Sequence, residues 1–107
     1  MNDTIARHEK MVTQFPQNEL ARFSLGKALY DAGEFSPARE HFVIALERKP
    51  DWMVVQILIG KCDLALGHKA AARAAFERAL QLAIEQSHEG PQSEMEAVLA
   101  ELDGQVD

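Results

Sequence analysis

A chain of 107 residues with 47% apolar content is long enough for one domain with a modest core. Its net charge of −6 is unevenly spread: no Lys or Arg follows Arg78, so residues 1–78 hold 10 acids against 11 bases, and residues 79–107 hold only the acids Glu85, Glu89, Glu94, Glu96, Glu101, Asp103 and Asp107. The clustered cations of a nucleic-acid surface are absent, and the longest apolar run, 52–55 and then 57–59, falls far short of the roughly 20 residues that cross a membrane.

Six segments carry helix signals. The first, about residues 3–15, has a broken apolar face of Ile5, Met11, Val12 and Phe15 and ends at Pro16. Asn18 is an N-cap type for the second, which Gly33 ends. Ser36 as cap and Pro37 as first helical residue open the third, which stops before Pro50. Asp51 caps the fourth, whose residues 52–66 are apolar all round, the composition of a helix sandwiched between neighbours. Gly67 closes it. The fifth starts near Lys69 and runs as far as Gln86 on strong helix formers. Gly90-Pro91 breaks it, and Ser93 with Glu96 forms a capping box for a sixth helix with Met95, Val98, Leu99 and Leu102 on one stripe.

Residues 19–52 and 53–86 are two copies of one pattern at an offset of 34. They match at Leu25 and Ile59, Gly26 and Gly60, Lys27 and Lys61, Gly33 and Gly67, Ala38 and Ala72, Phe42 and Phe76, Ala45 and Ala79, and Leu46 and Leu80. A unit repeated at this period buries its apolar face only by stacking on its neighbours. Gly26 and Gly60 fall mid-helix, where Gly costs about 1 kcal/mol relative to Ala, so the paired helix is predicted to approach closely there. Pro16 lies 34 residues before Pro50, which puts the first segment in phase with the second helix of a repeat.

Leu25-Gly26, Leu29, Ala38, Phe42, Ala45 and Pro50 in the first copy, and Ile59-Gly60, Ala72, Phe76 and Ala79 in the second, give the chain a pattern that resembles the tetratricopeptide repeat family. Arg22 and Gln56 stand where the family has Trp. Ile84 replaces the closing Pro of the second copy, predicting a longer helix there. The resemblance implies an all-α fold, a stack of antiparallel helix pairs forming a segment of right-handed superhelix with about six helices. The whole chain, 1–107, then reads as a single domain: a capping helix at 1–16, repeats at 19–52 and 53–86, and an acidic C-terminal capping helix at 91–104.

The resemblance also implies a site. First helices of successive repeats line a concave groove, and the family's groove positions correspond to Leu20, Phe23, Lys27, Tyr30 and Asp31 in the first copy and Val54, Ile57, Lys61, Leu64 and Ala65 in the second. Lys27 and Lys61 share one repeat position and suit an acidic peptide. Phe23 and Tyr30 read as the aromatics free for a partner, and Trp52 as a staple at the joint between repeats. The family's Lys-and-Asn clamp for chaperone tails is not matched, because Phe23 and Lys27 occupy those positions.

The function expected is that of a protein–protein interaction module, an adaptor or chaperone-like protein that binds a partner peptide or helix in the groove. The alternative is a structural subunit that self-associates, since two repeats are fewer than the roughly three a stable stack needs. The chain carries no nucleophile–base pair close in sequence, phosphate loop or zinc signature, so no enzyme activity, cofactor or metal is expected. His8, His41, His68 and His88 keep no ligand spacing. The partner expected is a protein or peptide of acidic character, with no nucleic acid or membrane, and the chain itself a monomer or weak homodimer. A polar start at residues 1–10 and a lone Cys62 suit a cytoplasmic location. The charge split adds one further expectation: the helix at 93–103, with Asp107, folds against Lys27 and Lys61 until a partner displaces it.

Overall fold

The computed structural model describes residues 3–104, and the six helices in it are α1 (Asp3–Gln14), α2 (Glu19–Asp31), α3 (Phe35–Arg48), α4 (Met53–Ala65), α5 (Lys69–Glu85) and α6 (Glu89–Asp103). Each packs on the next, so the molecule is a layered slab of 42 × 31 × 19 Å. Among the described residues there is no strand.

The turns between α2 and α3, between α4 and α5, and between α5 and α6 share one hydrogen-bond scheme. Gly33 at φ 81° donates to Tyr30 O and Glu34 donates to Leu29 O, at 3.0 and 2.8 Å; Gly67 and His68 repeat this on Leu64 and Asp63. Ser87, at φ 58°, and His88 do the same on Ile84 and Ala83. These paired bonds satisfy the last carbonyls of each helix and require one residue in the left-handed region. Two of the three turns use Gly there. The third strains a Ser.

Several helix starts differ from the sequence reading. Asn18 does cap α2, its Oδ1 accepting from Ala21 N at 2.9 Å. Ser36 does not cap α3. That helix begins at Phe35, and Ser36 and Pro37 are its second and third residues. Asp51 lies one position before the cap of α4, which is Trp52 and makes no side-chain bond. α6 opens at Glu89, so Gly90-Pro91 sits inside its first turn and the Ser93–Glu96 pair lies mid-helix. The physical reason is common to both Pro residues: first-turn amides have no intrahelical partner, so Pro costs nothing there and marks a start two residues later than the true one.

Small residues set the helix spacing. A Cβ on Gly26 would lie 2.7 Å from Phe42 Cε1, and one on Gly60 would lie 2.5 Å from Phe76 Cε1, so each ring packs directly on the backbone of the preceding helix. Ala38, Ala45, Ala72 and Ala79 are fully buried. α4 feeds both halves of the core, with Val55, Leu58, Ile59 and Cys62 in one cluster and Met53 and Ile57 in the other, as its all-round apolar sequence predicts. α5 is three residues longer than α3, 17 against 14, in line with the missing Pro at Ile84.

Polar side chains then tie successive layers. Arg48 on α3 donates to the carbonyl of Gln17 at 3.1 Å, and Gln86 after α5 donates to the carbonyl of Asp51 at 2.8 Å. Gln17 and Asp51 are 34 residues apart, so both inter-repeat turns have a carbonyl satisfied from the end of the following helix pair.

Candidate functional site

The ten residues assigned to the groove lie on α2 and α4, and the structure divides them into three groups. Leu20, Val54 and Leu64 are open to solvent at 62, 46 and 37% exposure, and Ala65 and Asp31 are exposed beside them. Exposed large apolar side chains need no explanation singly, but Leu20 and Val54 occupy the same repeat position on α2 and α4, Leu20 in a cleft beside α1 and Val54 in one beside Trp52 and His88.

Phe23 and Tyr30 are committed to packing. The Phe23 ring lies 4.9 Å from Trp52 and 6.0 Å from Phe42, and Tyr30 meets Phe35 edge-on at 5.4 Å. The reading of these two aromatics as free for a partner is thereby corrected: aromatic faces at helix joints gain more from ring contact and burial than from water. Trp52 does staple the joint, with Phe23 on one side and Lys49 Nζ 5.3 Å from its ring centroid. Ile57 is buried in the second core cluster with Met95 of α6.

Lys27 and Lys61 are half-exposed and each has an acid of its own. Lys27 Nζ is 2.7 Å from Asp31 Oδ1, one turn on, and lies 5.9 Å from the Tyr30 ring centroid; Lys61 Nζ is 3.7 Å from Glu94 Oε2 on α6. Exposed pairs of this kind contribute little to stability and leave the cations able to exchange partners. The expectation that α6 covers both lysines and is displaced as a unit is corrected as well. Only Lys61 is reached, and α6 is the next layer of the stack, burying Met95 and Leu102. Stripping it away would expose two large apolar side chains, at about 1.5–3 kcal/mol each. Asp107, included in that expectation, lies outside the described residues.

A buried charge went unnoticed in the sequence. Asp63 on α4 is 1% exposed and holds the Arg39 guanidinium at 2.6 Å through Oδ1, while Oδ2 makes no bond among the described residues. In the first repeat the same position is Leu29, a core residue. The mismatch between copies was the available signal. Arg73, the counterpart of Arg39, pairs with Asp103 on α6, so each second helix grips a carboxylate on the helix that follows. Beside Asp63, the Cys62 thiol is pushed up to about 11 by burial and then by the neighbouring carboxylate, which makes it a poor nucleophile.

Arg22, at the position where the family has Trp, bridges three elements: Nε donates to Pro16 O at 3.0 Å and Nη1 to His41 Nδ1 at 3.1 Å. His41 thus acts as an acceptor, and burial followed by the Arg22 charge holds its pKa below the ordinary value.

Of several open clefts, two of about 380 Å³ lie towards the ends of the stack. One lies between α1 and α2, with Met11, Phe15 and Leu20; the other lies between α5 and α6, with Leu80, Ile84 and Leu99. Among the described residues no group of three or more His, Cys, Asp or Glu is arranged to hold a metal ion, and no helix is long and apolar enough to cross a membrane.

Comparison with known proteins supplies relatives for this arrangement. The chain is 37% identical over 95 residues to the TPR repeat-containing protein PA0015 of Pseudomonas aeruginosa, covering 89% of this chain and 90% of the relative. No family model matches the sequence. Among solved structures, protein BPP2914 from Bordetella parapertussis is 31% identical with a TM-score of 0.82, over 96% of this chain and 90% of that one. PcrH, solved in complex with the chaperone binding region of PopD, superposes with a TM-score of 0.87 at 19% identity, over 94% of this chain and 77% of its own. The first TPR of Spaghetti (RPAP3), bound to the HSP90 peptide SRMEEVD, gives 0.76 at 19%, over 94% and 78%. At such identity the last two show the fold alone.

Proposed function

The chain belongs to the tetratricopeptide repeat family, and from that premise we propose that it is a protein-interaction module, adaptor-like or chaperone-like, that binds a peptide or helix of a partner along α2 and α4. The observation that carries this reading is the exposure of Leu20 and Val54 at one repeat position of α2 and α4, with Leu64 exposed near the far end of α4. Exposed apolar groups at helical spacing suit the anchors of an extended or helical segment. Lys27 and Lys61 supply the polar part, since a carboxylate on the partner can take each ammonium from Asp31 or Glu94 with no buried charge left over. The partner is therefore a segment with apolar anchors and acidic residues between them.

Two of the structural neighbours were solved with peptide segments bound, which supports the class of ligand. The chaperone-tail clamp stays unmatched, because Phe23 is held in its aromatic stack and cannot act as a cation. A location in the cytoplasm accords with this role and forms part of the proposal.

Chemical-shift mapping with a panel of peptides tests it, with apolar spacing fixed and acidic, neutral or basic residues between the anchors. Acidic peptides should shift amides of α2 and α4 at the lowest concentration, and Val54→Asp should abolish those shifts while leaving the far-ultraviolet spectrum unchanged. Shifts confined to α3 and α5, or no preference for acid, would overturn the reading.

A further inference from the structure

α5 starts in register with α3, Lys69 against Phe35, and its greater length puts Ile84 on a helix where the first copy has Pro50. Ile84 is 54% exposed, and with Leu80 and with Leu99 of α6 it makes the apolar lining of the open α5–α6 cleft. We infer that this cleft docks a basic amphipathic helix of a partner protein, which seats apolar side chains on Leu80, Ile84 and Leu99 and turns Lys or Arg towards the acids beside them. The surface is a different one from the α2 and α4 face, and the inference does not rest on the peptide-binding reading.

The shape suits a helix. α5 and α6 are joined by the tight turn at 86–88 and pack side by side, and the furrow between two such helices accepts the ridge of a third. From Arg73 to Ile84 the cleft follows α5 for about 16 Å at 1.5 Å per residue, so it takes roughly three turns of a partner helix. An exposed apolar strip rimmed by charge marks an interaction surface.

Charge identifies the occupant. Asp103 lines the cleft, and Glu96 and Glu89 precede it at successive spacings of seven, which places all three along one side of α6 with Leu99 between Glu96 and Asp103. Glu77 lines the cleft from α5. The bases on that side of α5 are Arg73, which Asp103 takes, and Lys69 one turn before it, both at the end away from Ile84. α6 has no Lys or Arg, and Lys61 of α4 is paired with Glu94. Among the described residues Glu77, Glu89 and Glu96 therefore have no cation in an ion pair with them. The Ile84 end of the cleft is apolar and negative. A helix with one hydrophobic face flanked by Lys or Arg complements it on both counts, whereas an acidic helix would set like charges together.

Chemical-shift mapping on the full chain tests this with two helix-stabilised synthetic peptides of about three turns. One has Leu along one face and Lys on both flanks; the other keeps the Leu and has Glu in place of Lys. The Lys peptide should shift amides around Leu80, Gln81, Ile84, Glu96 and Leu99, and bind there roughly tenfold or more tightly than the Glu peptide. Ile84→Ser should weaken the Lys peptide by roughly tenfold, the scale of one large apolar side chain left uncovered. Glu77→Lys together with Glu96→Lys should reverse the preference between the peptides. All three substituted residues are exposed, and unchanged circular dichroism confirms folding. The inference is overturned by a Lys peptide that shifts nothing at millimolar concentration, or that shifts α6 without Leu80 and Ile84. Equal binding of the two peptides at the cleft, an Ile84→Ser protein that binds as wild type does, or a double variant that keeps the wild-type preference also overturns it. Shifts of the Glu peptide on α2 and α4 are read in the same titrations, so failure at the cleft and failure of the peptide-binding reading are seen separately.

Discussion

Gly60→Ala separates two opposing effects of known size. In an open helix the substitution stabilises by about 1 kcal/mol, because Gly has the greater backbone freedom to lose. Here the new methyl would lie 2.5 Å from Phe76 Cε1, 2.7 Å from Cδ1 and 3.0 Å from Cζ. Carbon atoms in contact prefer about 3.5–4.0 Å, so the overlap approaches 1 Å at two ring atoms. Phe76 is 1% exposed and anchored among Ala72, Ala79 and Met53, so the ring cannot swing out. Overpacking of this kind costs about 1–3 kcal/mol, and with three close atoms the upper half applies. The net expectation is a loss of about 1–2 kcal/mol, which for a domain of this size lowers Tm by roughly 5–15 °C. Urea titration should show a lower midpoint at constant m, because the folded state is strained rather than expanded. In a Phe76→Leu background the ring is gone and the same Gly60→Ala change should become neutral or stabilising; the difference between backgrounds measures the contact. A Gly60→Ala protein that melts above wild type, or that behaves alike in both backgrounds, refutes the close-approach account.

Three further outcomes follow from single sites. Ser87→Gly should raise stability by roughly 0.5–1 kcal/mol in urea titration, since a non-glycine residue at φ 58° carries left-handed strain that Gly lacks, less the entropy Gly loses on folding. Arg39→Leu should cost about 2–3 kcal/mol by stranding the Asp63 carboxylate, while Arg39→Leu with Asp63→Leu should return close to wild type, as the first repeat already has Leu29 at that position; a double variant as unstable as the single one would count against the buried pair. His41, neutral as the acceptor from Arg22, has a folded pKa below 6.5, so the unfolded chain takes up the proton first as pH falls. Its contribution is therefore intact above pH 6.5 and lost as pH drops from there towards the folded value, and His41→Gln should flatten that part of the stability profile measured from pH 8 to 5.

Periodicity and residue size are properties of the chain alone, and they were enough for the stack. The 34-residue offset, the Gly26–Phe42 and Gly60–Phe76 matches and the apolar fourth segment all predict which helices pair and which one lies between two layers. Local hydrogen-bond competition was harder to read. Ser36-Pro37 and Ser93–Glu96 look like starts because caps and first-turn prolines share one composition, and the choice between adjacent positions depends on the left-handed residues Gly33 and Ser87 that end the preceding helix.

The residues expected to line a groove show the same division more sharply. Sequence register identifies repeat positions, and the resemblance to the tetratricopeptide repeat family is what implies one face for Leu20, Val54, Lys27 and Lys61. It cannot say which of those side chains the neighbouring layer uses. Phe23 is taken by Trp52 and Phe42, Tyr30 by Phe35 and Lys61 by Glu94, and Ile57 lies in the core cluster that holds Met95, because these contacts join side chains of different helices. Asp63 is the extreme case: a carboxylate in a helix reads as solvated surface until Arg39, 24 residues earlier, is seen to hold it in the core. The repeat fixed the order of the layers because stacking energy depends on pattern; only the folded chain decided which of its polar and aromatic groups face water, because that depends on what the adjacent layer places against them.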